Sequence, residues 1–315
     1  MSAIFLMPCC FGTVLTSLLP NGKKNYTIEG RKRKEENVNT VSALPLAKRR
    51  TFVLGYRREV RQMIFDTHAH YDSGAYNADR FETLEAAHAA GVGLILDPGC
   101  DARSSRMALD LAEKYPFVYA AVGIHPEDMD KYDLEAYAEI CEMARHPKCV
   151  AIGEVGLDYY WDASQKEEQK VLFRQQIELA IELCKPVIVH DREAHQDSLD
   201  IVKDYPEATG VFHCYSGSAE MAAELLKRGW YLGFDGPITY KNARKAIEVL
   251  EICPADRMLI ETDSPYLSPV PMRGKRNDSR NLRYVIEKIA EVKGLSPGEV
   301  ERLTWENGKR LFGIE

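Results

Sequence analysis

Residues 150–158 read Val-Ala-Ile-Gly-Glu-Val-Gly-Leu-Asp. A short apolar run leads into a carboxylate, Glu154, set between two glycines. A charge at the end of a buried strand is costly unless it is paired with a base or bound to a metal. Both resolutions are open from this stretch alone. Outward along the chain the same construction recurs. Pro186-Val187-Ile188-Val189-His190 and Val211-Phe212-His213 are apolar runs that each end on a histidine. Ile64-Phe65-Asp66-Thr67-His68-Ala69-His70 ends on two, and Leu259-Ile260-Glu261-Thr262-Asp263 ends on acids.

These runs belong to a regular pattern. Strands are expected at 64–66, 93–97, 118–123, 150–154, 187–190, 211–214, 231–234 and 258–261. Amphipathic stretches alternate with them, near 78–90, 102–114, 133–145, 164–183, 194–203, 219–227, 241–252 and 281–293, the signal of repeated βα units. A further helix near 297–311 opens with Ser296-Pro297, a capping residue followed by a favoured first-turn residue. Eight such units predict an α/β fold, a (β/α)₈ TIM barrel with a C-terminal extra helix. An open doubly wound sheet is the alternative, but no G-x-G-x-x-G follows an early strand.

A barrel of this kind works at the C-terminal ends of its strands. His68 and His70, two apart on an extended segment, point to one side. With Glu154, His190, His213 and Asp263 they place four histidines and two carboxylates on one rim. Imidazole nitrogen and carboxylate oxygen suit Zn²⁺, Mn²⁺ or Mg²⁺-like ions. Six ligands exceed one tetrahedral ion and suffice for two divalent metal cations sharing a bridging carboxylate, with Glu154 on a central strand the candidate bridge. Such a pair clamps the attacking and leaving oxygens of a hydrolysis. Asp263 can both ligate and take the proton of the attacking water.

Composition limits the alternatives. The chain has 315 residues, 45% hydrophobic and 28% charged, which is globular. Its net charge of −7 is uneven: residues 1–62 hold 12 basic and 4 acidic side chains, +8, leaving −15 for the rest. An acidic body does not track a nucleic-acid backbone by charge alone. The stretch 1–62 lacks a helical or strand period. It reads as a disordered basic arm that touches nucleic acid, or as a gene-model artefact with Met63 the true start. The first 20 residues make a poor signal peptide. Eight cysteines without a C-x-x-C pair indicate reduced, mostly buried thiols and a cytoplasmic protein. No apolar run reaches 18 residues, so no membrane span is expected, and no stable protein partner is implied.

Five strings carry a specific resemblance: Phe65-Asp66-Thr67-His68-Ala69-His70, Gly123-Ile124-His125-Pro126, Gly153-Glu154-Val155-Gly156-Leu157-Asp158-Tyr159, Phe212-His213-Cys214-Tyr215-Ser216-Gly217 and Glu261-Thr262-Asp263-Ser264-Pro265-Tyr266-Leu267. In order and spacing they resemble the TatD family of metal-dependent deoxyribonucleases, amidohydrolase-like barrels, over residues 63–314. The resemblance implies a hydrolase domain at 63–315 that cleaves DNA, single-stranded or at its ends. It implies one metal on His68, His70, Glu154 and Asp263, and a second on Glu154, His190 and His213. No lysine stands where related barrels carry a carboxylated one, so Glu154 alone must bridge.

The resemblance also suggests that His125 faces the substrate phosphate, with a structural turn histidine as the alternative. Arg192 is either a phosphate contact or an ion-pair partner. The loop Pro271-Met272-Arg273-Gly274-Lys275-Arg276-Asn277 looks like the family's basic loop, so Arg273, Lys275 and Arg276 are candidate substrate contacts, or a solvated charge run. The chain departs from many relatives at Glu127-Asp128, where another histidine is common. His88 and His146 read as surface or structural, and His195 is open. Three activities remain in view. They are a two-metal phosphodiesterase on DNA, amidohydrolase-like cleavage of a C–N or ester bond including aminoacyl-tRNA deacylation, and a metal-stabilised binding protein without turnover.

Overall fold

The computed structural model describes residues 64–161 and 163–315. The expected leader, 1–62, lies outside them. Eight strands are present: β1 Ile64–Asp66, β2 Val92–Pro98, β3 Val118–Val122, β4 Cys149–Asp158, β5 Val187–Arg192, β6 Gly210–Phe212, β7 Tyr231–Phe234 and β8 Met258–Ile260. All neighbours pair in parallel, in chain order. The segments just past β1 and β8 join the ends of the sheet. Thr67 N donates to Ile260 O (3.1 Å), Asp263 N to His68 O (2.9 Å) and His70 N to Ser264 O (2.7 Å). The fold is the expected (β/α)₈ barrel.

Helices follow the strands: α1 Arg80–Ala89, α2 Ala102–Lys114, α3 Leu134–Met143, α4 Lys166–Glu182, α5 His195–Lys203, α6 Ala219–Lys227, α7 Arg244–Ile252, α8 Leu282–Lys293 and α9 Pro297–Phe312. Asp101, Asp133, Ser218 and Ser296 cap α2, α3, α6 and α9 through their side chains, satisfying amides that the first turn leaves open. The hydrophobic residues divide into two layers. Strand residues facing the helices join the large outer core. Phe65, Leu94, Leu96, Ala121, Ala151, Ile188, Val211, Tyr231 and Leu259 form a separate inner core. Among the described residues, no helix is long and apolar enough to cross a membrane.

One observation differs from the sequence expectation. β4 does not stop at Glu154 but continues to Asp158, because Gly156, Leu157 and Asp158 pair with His190, Asp191 and Arg192. Gly156, at φ +143°, permits this; a Cβ there would collide with the His190 carbonyl. The glycines that looked like a strand end are what lets β5 lie close. Of the six described cysteines, all free, only Cys149 and Cys253 are buried, and Cys184 is exposed. Burial nonetheless pushes the Cys100 thiol up to about 12 and the Cys214 thiol well above its usual value, so the sulfurs of four of these six, with Cys149 and Cys253, sit in buried surroundings.

The last helix closes the barrel floor. Leu311, Phe312 and Ile314 join the inner core, and Phe65 meets Trp305 and Phe312 edge-on, with centroids 6.4 and 5.9 Å apart. Asn307 donates to the carbonyls of Ala255 and Met258, 2.9 Å each. A Cβ at Gly308 would lie 2.5 Å from the Phe65 ring. Gly308→Val is expected to destabilise the barrel by about 1–3 kcal/mol through overpacking. A thermal melt unchanged from the native chain would refute this role of α9.

Candidate active site

The candidate donors lie in or just past the strands, on one side of the barrel. His68 and His70 follow β1, His125 follows β3, Glu154 lies in β4, His190 in β5, His213 follows β6 and Asp263 follows β8. The structure brings all seven together. Glu154 is at their centre, and its two oxygens face different histidines. Oε2 lies 3.2 Å from His68 Nε2 and 3.4 Å from His70 Nε2. Oε1 lies 2.7 Å from both His190 Nδ1 and His213 Nε2. Asp263 Oδ1 completes the first set, 3.7 Å from His68 Nε2 and 3.4 Å from His70 Nε2.

Hydrogen bonds on the far side of the rings decide what each ring presents. His70 Nδ1 lies 3.0 Å from the Pro98 carbonyl, which can only accept. Nδ1 is therefore the donor, and in the neutral ring Nε2 turns a lone pair inward. His190 Nε2 faces Asp158 Oδ2 at 3.0 Å, which leaves Nδ1 for the interior. This carbonyl- or carboxylate-backed arrangement is how proteins orient histidines toward a cation. His125 is wired the other way. The Glu127 amide donates to its Nδ1 (3.1 Å), so the neutral ring carries its hydrogen on Nε2. That nitrogen, 3.4 Å from Glu154 Oε1, is a donor and not a ligand.

Lone pairs held 2.7–3.4 Å from a carboxylate oxygen require a proton or a cation between them. Bonds of about 2.0–2.1 Å from one ion to nitrogen and oxygen place ligand atoms roughly 3 Å apart, close to the spacing seen here. The donor set thus fits divalent cations. Groups able to hold one include His68, His70 and Asp263, and His68, Glu154 and His213.

The electrostatics match. Burial opposes the charge of Glu154, but His213, His68 and His125 outweigh it and hold the carboxyl well below its usual range. Burial opposes that of Asp263 too, and the His70 hydrogen bond with the fields of His68 and His213 keeps it low. Burial disfavours a proton on His190, yet Asp158 and Glu154 raise its pKa to about 9.

Three carboxylates that sequence reasoning left without a role hold the frame. Asp158 orients His190. Asp66, pushed up to about 7 by burial, accepts from Thr262 N (3.0 Å) and Thr262 Oγ1 (2.7 Å), just before Asp263. Glu261 accepts from Cys214 N (2.5 Å), just after His213. The signal was in the strings quoted above: each acid stands within a few residues of a candidate ligand or is brought beside one by the neighbouring strand.

The cluster forms the floor of a cavity of about 980 Å³ whose wall includes His125, Trp161, Arg192, Tyr240 and Tyr266. Arg192 thus reaches the cavity, with its guanidinium 3.9 Å over the Tyr160 ring. The basic loop does not line it. Arg273 packs over Tyr240 at 4.2 Å, and it and Lys275 are exposed. Arg276 gives two hydrogen bonds to Asp79, 2.8 and 2.6 Å, so its charge is engaged in an ion pair. His88 stacks on Phe117 (4.0 Å), His146 meets Glu113 (3.1 Å) and His195 meets Asp191 (2.8 Å), all away from the cluster.

Comparison with known proteins agrees. A family model described as TatD related DNase matches residues 65–313. The uncharacterized metal-dependent hydrolase YabD of Bacillus subtilis is 48% identical over 254 residues, spanning 80% of this chain and 100% of that one. The 3'-5' ssDNA/RNA exonuclease TatD of Escherichia fergusonii is 34% identical over 258 residues, spanning 80% and 99%. The crystal structure of YJJV, a TatD homologue from Escherichia coli K12, aligns with a TM-score of 0.77 at 31% identity, covering 81% of this chain and 99% of that one. This chain belongs to the TatD-related DNase family of metal-dependent hydrolases.

Proposed function

We propose that the chain is a deoxyribonuclease that hydrolyses phosphodiester bonds in single-stranded DNA or at DNA ends, using two divalent cations. The observation that carries this reading is Glu154, whose two oxygens face two separate histidine sets. His68, His70, Glu154 and Asp263 would hold one cation; Glu154, His190 and His213 would hold the other. Zn²⁺, Mn²⁺ and Mg²⁺ all suit such donors. When bound, the pair supplies Lewis acidity toward a phosphoryl oxygen and lowers the pKa of water.

The protein's own groups do the rest. Asp263 accepts the proton of the attacking water. Its side chain is 15% exposed where that of Glu154 is 4%, so it is the carboxylate that meets the cavity. Its lowered pKa keeps it ionised for that task. His125 Nε2–H donates to a phosphate oxygen, and Arg192 supplies the positive charge at the wall. Activity resides in residues 63–315, and the protein works in the cytoplasm.

Asp263→Asn is expected to lower nucleotide release from single-stranded DNA by about 10²–10⁴-fold, with the melting temperature preserved. Full metal-dependent activity in this variant would end the general-base role. Glu154→Ala is expected to lose the paired state, and two metals still bound per chain, counted by elemental analysis, would refute the bridge. With a pKa of about 9, His190 holds a proton in the free site at neutral pH, and a cation taking Nδ1 must displace it. Apparent affinity for Mn²⁺ or Zn²⁺ is therefore expected to weaken as pH falls below about 9, with proton release seen by calorimetry in buffers of different ionisation enthalpy. A pH-independent affinity would contradict this wiring.

The decisive assay is release of nucleotides from single-stranded DNA by protein begun at Met63, with and without added Mg²⁺, Mn²⁺ or Zn²⁺. No release from folded, metal-loaded protein would move the assignment to a C–N or ester bond.

A further inference from the structure

Large exposed aromatic rings are rare on this barrel, and two of them, Trp161 and Tyr266, stand in the wall of the active cavity at 65% and 60% exposure. Trp161 does not stand alone. Tyr160 beside it is 55% exposed, and the two rings meet edge-on with centroids 4.9 Å apart. The Arg192 guanidinium lies 3.9 Å over the Tyr160 ring and 5.4 Å from the indole. Among the described residues no carboxylate lies within ion-pair distance of that guanidinium. The result is a broad aromatic face beside a guanidinium, at the edge of a cavity floored by Glu154.

The position of this shelf is tied to the reaction centre. Asp158 Oδ1 accepts from the amides of Tyr160 (2.8 Å) and Trp161 (3.2 Å), while its Oδ2 faces His190 Nε2 at 3.0 Å. One buried carboxylate therefore sets both the aromatic pair and a candidate ligand. The spacing between shelf and centre is set by these bonds to a single carboxylate.

We propose that Trp161, backed by Tyr160 and Arg192, stacks a nucleobase of the single-stranded substrate while the adjoining phosphate lies over the Glu154 cluster. This rests on the nuclease reading and adds how the strand is recognised. Residues beyond the leader carry a charge of −15, so general attraction for a polyanion is absent from the body. Base–aromatic stacking needs no such charge and tolerates any sequence, since every base has a π-face. It also selects against duplex, in which both faces of an internal base are covered by its neighbours. Arg192 adds a local cation for the phosphate beside the stacked base.

The test uses the full chain and Trp161→Ala, with Trp161→Phe as the conservative variant. On single-stranded DNA, Trp161→Ala is expected to raise KM by about tenfold, within the range known for loss of one stacked base, with a smaller change in kcat. Trp161→Phe should recover most of this. The ratio of kcat/KM on DNA to that on bis(p-nitrophenyl) phosphate, a diester without a base, should fall by a similar factor in Trp161→Ala. An oligonucleotide abasic near its cleaved end should cost the native enzyme what Trp161→Ala costs, and should cost that variant nothing more. An unchanged KM on DNA, or an equal loss on both substrates, would overturn the shelf.

Binding is read separately in Asp263→Asn by quenching of tryptophan fluorescence with oligo(dT). Quenching and affinity should both drop when Trp161→Ala is added, and equal quenching in both proteins would overturn the proposal. If the native chain releases no nucleotide from DNA, the nuclease reading fails, and this titration still decides the shelf.

Discussion

Glu154 is a carboxylate held at the centre of the barrel mouth, with 4% of its side chain exposed and histidine nitrogens on both of its oxygens. Such a group is unfavourable by itself. It persists because four strands each deliver an imidazole to it. That single requirement explains why the strand ends read as they do. β1, β3, β5 and β6 each place an imidazole within 3.4 Å of one carboxylate, and β8 brings Asp263 to the same histidines. A barrel suits this demand because eight parallel strands point their C-terminal ends at one axis.

The arrangement depends in turn on groups that stand behind the candidate ligands. Pro98 and Asp158 take the outward nitrogens of His70 and His190. Asp66 and Glu261 anchor the segments that carry Asp263 and His213. Asp263 itself sits at φ +50°, a left-handed conformation that aspartate tolerates better than most residues. Its amide bond to the His68 carbonyl, at 2.9 Å, holds it there and also helps join the ends of the sheet. Closing the barrel and placing the candidate base are thus one local event.

Much of this was legible because strand ends announce themselves. Apolar runs that stop on His190, His213 or Glu154 predicted both the strands and the rim, and Ser296-Pro297 announced α9. What escaped depended on distance in the chain. Gly156 looked like a terminus until its pairing with His190 was seen. Asp79 lies 197 positions from Arg276, so the ion pair that occupies the basic loop had no sequence signature. The direction of the His125 ring follows from one amide at Glu127, a feature that composition and spacing cannot express.

The two ends of the barrel divide the work. At the floor, α9 fills the inner core with Leu311, Phe312 and Ile314, and Gly308 gives way to Phe65. This packing supplies stability. At the mouth, buried acids and histidines oppose one another, and two exposed aromatics face the solvent. Those features cost stability in an isolated fold. The apolar floor lets the mouth keep them, and the same strands connect the two. A barrel with this division can vary its wall residues, Trp161 and Tyr266 among them, without disturbing the buried centre.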